Sequence, residues 1–104
     1  MKRLLFSEIS RDDLLQIVRY IARDNPGRAR SFVAELRMRC AQLTSLPNQG
    51  IAREDCARGL KMITHGRYLI FYSILKSDVL IERVLHGARD TTRLFDTPTT
   101  DQPQ

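Results

Sequence analysis

Residues 60–85, LKMITHGRYLIFYSILKSDVLIERVL, decide the fold. They contain three runs rich in β-branched and aromatic residues, and the two polar triplets between the runs are short enough to be hairpin turns. Strands joined by such short turns are sequential and antiparallel. The sequence therefore predicts a three-stranded meander whose most apolar run is central: strands at 60–63, 68–75 and 79–85, with turns at 65–67 and 76–78.

Two helices are predicted before the meander, because apolar residues recur there with a period close to 3.6. The stripe of the first helix is Leu14, Ile17, Val18 and Ile21, and that of the second is Ala29, Phe32, Val33, Leu36, Cys40 and Leu43. The link between them is only a few residues long, so the helices are expected to lie antiparallel as a hairpin.

The predicted helix boundaries rest on capping residues. Ser10, with Asp13 three positions later, resembles a capping box and predicts the start of the first helix. Asn25 before Pro26 predicts the start of the second helix, since Asn is a good N-cap and Pro fits the first helical position. The second helix should end near residues 46–50, where proline and glycine occur.

The complete order predicts an α+β fold: an N-terminal strand at 3–7, the antiparallel helical hairpin, and the three-stranded antiparallel meander. A polar connector at 50–59 joins the hairpin to the meander. We expect an antiparallel sheet with the hairpin on one face, within a single domain at 1–96. Residues 97–104 have no apolar anchor and are predicted to be a disordered tail.

The length of 104 residues favours one domain and leaves no room for a separate cofactor domain. Its apolar runs are far shorter than the ~20 residues that a membrane span requires. The first residues resemble a signal peptide, but Glu8 and Arg11 interrupt the apolar segment too early. These features predict a cytoplasmic protein with no membrane partner.

The cysteines and histidines do not suggest a metal or redox site. Cys40 and Cys56 are too few for a disulfide framework, and Cys40 is expected in the helical core. His65 and His86 are isolated and lack the spacing of metal ligands. We therefore predict no metal and no cofactor.

The net charge of +5 points to acidic partners, either nucleic acid or an acidic protein segment. Lysine occurs only at Lys2, Lys61 and Lys76, so arginine supplies the other 14 of the 17 basic residues. Arginine suits bidentate pairing with phosphate or carboxylate, although a genome of high GC content favours it as well.

Several motifs resemble the ParE branch of the RelE/ParE toxin superfamily, from about residue 5 to 95. The most specific is RVLHGARD at 83–90, and GL at 59–60 and YLIFY at 68–72 precede it. In the helical part the resemblance rests on YIARDNP at 20–26 and then on Leu36, Cys40, Leu43, Pro47 and Gly50. The strand, helix, helix and three-strand order is also that of the family.

The resemblance implies the toxin of a type II toxin–antitoxin system. ParE-type members poison DNA gyrase, whereas RelE-type members cut mRNA on the ribosome without a metal. Both are neutralised by a small antitoxin with an acidic, partly disordered segment. We predict a gyrase poison paired with a ParD-like antitoxin, and keep the RelE-type ribonuclease, acting on ribosome-bound mRNA, as the alternative. A plain nucleic-acid-binding module and an inactive relative stay open.

The meander favours the gyrase poison over an enzyme. RelE-type strands usually carry a phosphate-binding arginine where this chain has Leu69, and Arg67 would lie about 7 Å away along the strand. Those nucleases commonly have a lysine-rich segment, and of its lysines this sequence has only Lys61. If the protein is nevertheless a nuclease, the candidate catalytic residues are His86, Arg67, Tyr72 and Arg89.

The expected contact surfaces follow from the resemblance and from the position of the basic residues. The target is expected to contact Arg83, His86, Arg89, Arg93 and Phe95. The antitoxin is expected in a groove between the helical hairpin and the sheet, and to contact Arg30, Phe32, Leu36 and Arg37. Within its strand, Arg83 is expected to pair with a carboxylate, either one near Glu82 or Asp90.

Overall fold

The helices and strands follow one another in the predicted order, with one short strand added. A computed structural model describes residues 1–87, so the predicted boundary at 96 and the tail at 97–104 lie outside the described residues. The elements are β1 (Arg3–Phe6), α1 (Glu8–Ala22), α2 (Pro26–Ala41), 3₁₀ turns at Gln42–Thr44 and Pro47–Gln49, β2 (Ile51–Ala52), β3 (Lys61–His65), β4 (Tyr68–Ile74) and β5 (Asp78–His86).

The predicted meander is confirmed as strands β3, β4 and β5, which pair antiparallel with β4 in the centre. His65 pairs with Tyr68, which leaves Gly66 and Arg67 as a two-residue turn. Gly66 has φ +59°, a conformation that glycine adopts without steric cost and that two-residue hairpins require.

The sheet is mixed, so the expectation of a wholly antiparallel sheet is wrong. β1 pairs with β5 in the parallel direction, with Leu5 opposite Leu80. The order of the five strands is β1-β5-β4-β3-β2, because β4 is already paired on both sides and additional strands have only the outer edges available. The short β2 lies in the connector, where no strand was predicted. An apolar run indicates which residues are buried but carries no information on strand direction.

The first helix begins three residues earlier than its predicted start. Ser7 is the N-cap, and its Oγ accepts a hydrogen bond from the backbone N–H of Ser10 at 3.0 Å. Ser10 itself is completely buried inside the helix, where its hydroxyl donates to the Ser7 carbonyl. The start of α2 is confirmed, since the side chain of Asn25 accepts from Arg28 N–H with Pro26 next in the chain.

Two apolar clusters cover the two faces of the sheet. The larger lies between the helical hairpin and the sheet and contains Leu14, Phe32, Leu36, Cys40, Leu43, Ile63, Ile70, Tyr72, Val79, Ile81 and Val84. The smaller contains Cys56, Leu60, Phe71 and Leu85, and it lies on the opposite face because neighbouring residues of a strand point to opposite sides. Cys40 is a core residue as predicted, and burial raises the pKa of its thiol to about 12.

Candidate functional site

A groove of about 760 Å³ lies where the helical hairpin leaves the end of the sheet uncovered. We call it the helix–sheet groove. Its residues come from both helices, from the β3–β4 turn and from the end of β5. Its apolar lining includes Ile17, Ile21, Phe32, Tyr68 and Val84. Its polar lining includes Asp13, Arg28, Glu35, His65, Arg67 and His86. The groove predicted between the hairpin and the sheet is therefore present in the fold.

A row of aromatic rings forms the sheet side of the groove. The strand register aligns His65, Tyr68 and His86 on three adjacent strands. The ring of Tyr68 lies 5.5 Å from His86 in an edge-to-face arrangement and 5.1 Å from Phe32 of α2. Phe32 also lies 5.6 Å from His65. Such contacts hold the four rings in a defined geometry and join α2 to the sheet.

The acidic Glu35 in the groove is paired with the guanidinium of Arg28. It accepts a hydrogen bond from Arg28 Nη1 at 2.8 Å and lies 3.4 Å from His65 Nε2. The hydrogen bond from Arg28 lowers the pKa of Glu35, and the same bond raises the pKa of Arg28. Arg67 is exposed at the β3–β4 turn, and within residues 1–87 its guanidinium has no ion-pair partner. Within residues 1–87, the guanidinium of Arg67 is therefore the charged group of the groove that is not neutralised by an ion pair.

An ion pair between α1 and β5 closes the inner end of the groove. Asp13 accepts hydrogen bonds from Arg83 Nε at 2.9 Å and Nη2 at 3.0 Å, and both side chains are largely buried. Its Oδ2 also accepts from the backbone N–H of Val84 at 3.0 Å. Arg83 therefore pairs with a carboxylate, as expected, but this carboxylate is Asp13 of α1, which was not among the predicted partners. The predicted partner Asp90 lies outside the described residues.

Comparison with known proteins agrees with this architecture. Residues 4–91 match the family described as the ParE toxin of the type II toxin–antitoxin system parDE. The chain belongs to the ParE toxin family. As a ParE toxin it is one half of a toxin–antitoxin pair, and its partner is a ParD antitoxin.

A solved structure titled "Chromosomal ParDE TA system from P. aeruginosa" has the same fold as this ParE protein. The TM-score is 0.71 at 20% sequence identity, and the match covers 83% of this chain and 96% of the other. A comparison with curated protein sequences gave no match.

The residues predicted for target binding in this ParE protein are only partly within the described chain. His86 is exposed at the mouth of the groove, and Arg83 is held by Asp13. Arg89, Arg93 and Phe95 lie outside the described residues.

The residues predicted for antitoxin binding are divided between the groove, the core and the surface. Phe32 lies at the floor of the groove, whereas Leu36 is completely buried in the core. Arg30 is exposed on α2, and Arg37, also exposed, places its guanidinium 5.6 Å from the centre of the Phe6 ring. Neither arginine lines the groove.

Several groove residues were not predicted from the sequence, among them Asp13 as an ion-pair partner, Tyr20, Arg28, Glu35 and His65. Tyr20 is 67% exposed. The sequence could have indicated a contact role for it, because it is an aromatic residue outside the apolar stripe of α1. The sequence contained no comparable signal for Asp13 or Glu35, since charged residues on a helix are usually solvated.

The candidate nuclease residues are not assembled at one place. His86 and Arg67 line the groove, but Tyr72 lies four residues along β4 from Tyr68, roughly 13 Å away. Tyr72 is completely buried, and its hydroxyl donates to the Pro47 carbonyl at 2.7 Å and accepts from Gly50 N–H at 3.0 Å. Burial also raises the pKa of Tyr72, which disfavours proton transfer near neutral pH.

Leu69, at the position where a RelE-type strand has its arginine, packs against the smaller cluster on the opposite face of the sheet. Within residues 1–87, no group of three His, Cys, Asp or Glu residues could hold a metal ion. In the same part of the chain, no helix is long and apolar enough to cross a membrane.

Substitution of Tyr72 by phenylalanine tests its structural role. The change leaves Gly50 N–H and the Pro47 carbonyl without their partner, so it should lower the free energy of unfolding by about 1–3 kcal/mol in urea denaturation. Tyr68→Phe is the matched control and should change stability by less than about 0.5 kcal/mol. Tyr72→Phe that is as stable as the wild type but has lost its toxicity would instead indicate a catalytic tyrosine.

Proposed function

We propose that this ParE toxin poisons DNA gyrase by binding, and that its ParD-like antitoxin neutralises it by occupying the helix–sheet groove. The observation that carries the first part is the placement of Tyr72, which is buried and distant from His86 and Arg67. Because Tyr72 cannot act together with His86 in proton transfer, a binding activity fits the surface better than RNA cleavage does. Membership of the ParE family supports the same choice.

The chemistry of the groove supports an acidic amphipathic segment as its occupant. Ile17, Ile21 and Phe32 offer an apolar surface along the helical hairpin. Glu35 and Asp13 are already paired with cations, so they repel an incoming carboxylate less than free acids would. Arg67 at the turn has no ion-pair partner within residues 1–87 and can receive an incoming carboxylate. A disordered segment that folds on binding gains both kinds of contact.

Neutralisation then follows from the overlap of two surfaces. Phe32, predicted to contact the antitoxin, and His86, predicted to contact the target, both touch the ring of Tyr68. A segment lying over Phe32 and Tyr68 covers the mouth of the groove beside His86. The target and the antitoxin therefore compete for this end of the sheet. Arg30 and Arg37 contact the antitoxin only where it extends onto the outer face of α2.

A RelE-type ribonuclease acting on ribosome-bound mRNA is the second candidate. It is favoured by one observation, which is that His65, His86 and Arg67 line the same groove. Two imidazoles and a guanidinium are groups that metal-independent RNA cleavage can use.

Substitution of His86 by alanine separates the two functions. A proton-transfer group contributes typically 10²–10⁴-fold in rate, whereas truncation of one contact in a binding surface typically costs only ~1 kcal/mol, or less than about tenfold. We expect His86→Ala to weaken toxicity by less than about tenfold, measured as growth arrest at matched soluble expression. Gyrase-linked DNA breaks should accompany the arrest, and ribosome-bound mRNA should stay intact.

His65→Ala is a parallel variant, since it removes the imidazole at the other end of the same row and should also weaken toxicity by less than about tenfold if the protein acts by binding. A thermal melt of each variant shows whether a loss of toxicity reflects unfolding. Cleavage of ribosome-bound mRNA by the wild type, abolished by His86→Ala with an unchanged melt, would decide for the ribonuclease.

A further inference from the structure

The last strand contains an irregularity beside the groove. Tyr72 pairs with Ile81 and Phe71 pairs with Arg83, so Glu82 is an extra residue in β5. Such a β-bulge bends its strand, and bulges are frequent where a side chain has to be re-aimed near a functional site. Here the bulge places Val84 opposite Ile70 on the face covered by the hairpin and places Arg83 opposite Phe71, and the Arg83 guanidinium reaches Asp13 of α1.

The outer edge of β5 changes partner at the same place. β1 ends at Phe6, opposite Ile81, and the chain then turns into α1 at Ser7. Ser7 continues the pairing, because its N–H donates to the Ile81 carbonyl and its hydroxyl to the Glu82 carbonyl, both at 2.9 Å. Asp13, six residues further along, accepts the N–H of Val84. The Asp13 carboxylate thus accepts the hydrogen bond that a backbone carbonyl of an adjacent strand would otherwise accept.

We propose that Asp13 is a positioning residue for the target-binding end of β5. By accepting from Val84 N–H and holding Arg83, it sets the direction in which the strand continues to His86. This inference rests on the proposed function only in that the end of β5 contacts the target. Asp13 does not touch the target itself, since its carboxylate is occupied by three hydrogen bonds and its side chain is 11% exposed.

Three variants of the full-length toxin test this role. Asp13→Ala removes both the charge and the acceptor. Asp13→Asn keeps an oxygen that can accept from Val84 N–H but loses the charge. Asp12→Asn is the matched control, because Asp12 is the neighbouring exposed residue and, within residues 1–87, its carboxylate bonds only to Gln16 of the same helix. Growth arrest over a range of measured toxin levels is the first readout, because it does not depend on the identity of the target. Trapping of gyrase on cleaved DNA is the second.

We expect Asp13→Ala to raise the toxin level needed for half-maximal arrest about 30-fold, at a temperature well below its melting point. Asp13→Asn should retain most of the activity, within about fivefold of the wild type, and Asp12→Asn should be unchanged. Rescue by asparagine is the result that a purely structural ion pair would not give, because asparagine removes the charge as completely as alanine does.

Folded Asp13→Ala with wild-type toxicity would overturn the inference, and so would equal losses for Asp13→Asn and Asp13→Ala. If Asp13→Ala does not fold, Asp13→Asn alone decides. A loss of toxicity beyond fivefold in folded Asp13→Asn would count against the inference, and retained toxicity would count for it. Growth arrest by the wild type without trapped gyrase would remove the proposed target, while the comparison among the variants would still judge the role of Asp13.

Discussion

Replacement of Arg83 by glutamate should lower the free energy of unfolding by about 3–5 kcal/mol, a large share of the total for a domain of this size. The side chains of Arg83 and Asp13 are only 18% and 11% exposed, so the substitution places two carboxylates together away from water. We expect an early thermal melt and an early transition in urea. Toxicity should disappear with the fold at growth temperature.

Arg58→Glu is the control for this prediction, since Arg58 is exposed in the connector and the charge change is the same. Arg83→Met adds a second comparison, because it removes the ion pair without adding a negative charge. If Arg83→Glu melts like the wild type and nevertheless abolishes toxicity, Arg83 is a contact to the target, as its place in the family motif suggested, and the ion pair contributes little to folding.

The parts of the fold that the sequence predicts well are those set by local pattern. The three apolar runs and the two short turns predict the meander, and Asn25 before Pro26 predicts the start of α2. The start of α1 was misplaced because Ser7 and Ser10 are both good N-caps. The two serines differ in a tertiary contact, because the hydroxyl of Ser7 also donates a hydrogen bond to the Glu82 carbonyl of β5.

The candidate site is less predictable because its contacts join residues that are distant in the chain. Asp13 and Arg83 are 70 residues apart, and no periodicity relates them. Alternation along β4 correctly places Tyr68 and Tyr72 on the same face. It does not indicate that the helical hairpin covers Tyr72 completely while Tyr68 remains at the groove, since that depends on where the helices end over the sheet.

Replacement of Tyr20 by alanine should weaken binding of the ParD antitoxin at least about 30-fold, which corresponds to about 2 kcal/mol. Tyr20 is a large aromatic residue at the groove and is 67% exposed in the free toxin, so a partner segment in the groove would bury it. Tyrosines of this kind are frequent anchors of protein interfaces. Titration of purified toxin with the antitoxin by calorimetry measures the change.

Met38→Ala provides the matched control, because Met38 is 70% exposed on α2 and does not line the groove. Both changes remove exposed apolar surface, so each should alter the stability of the free toxin by less than about 0.5 kcal/mol. Only the first should alter antitoxin affinity if the antitoxin lies in the groove. The reverse result, a loss for Met38→Ala and none for Tyr20→Ala, would place the antitoxin on the outer face of α2, where Arg30 and Arg37 are exposed. Neutralisation would then act without covering His86.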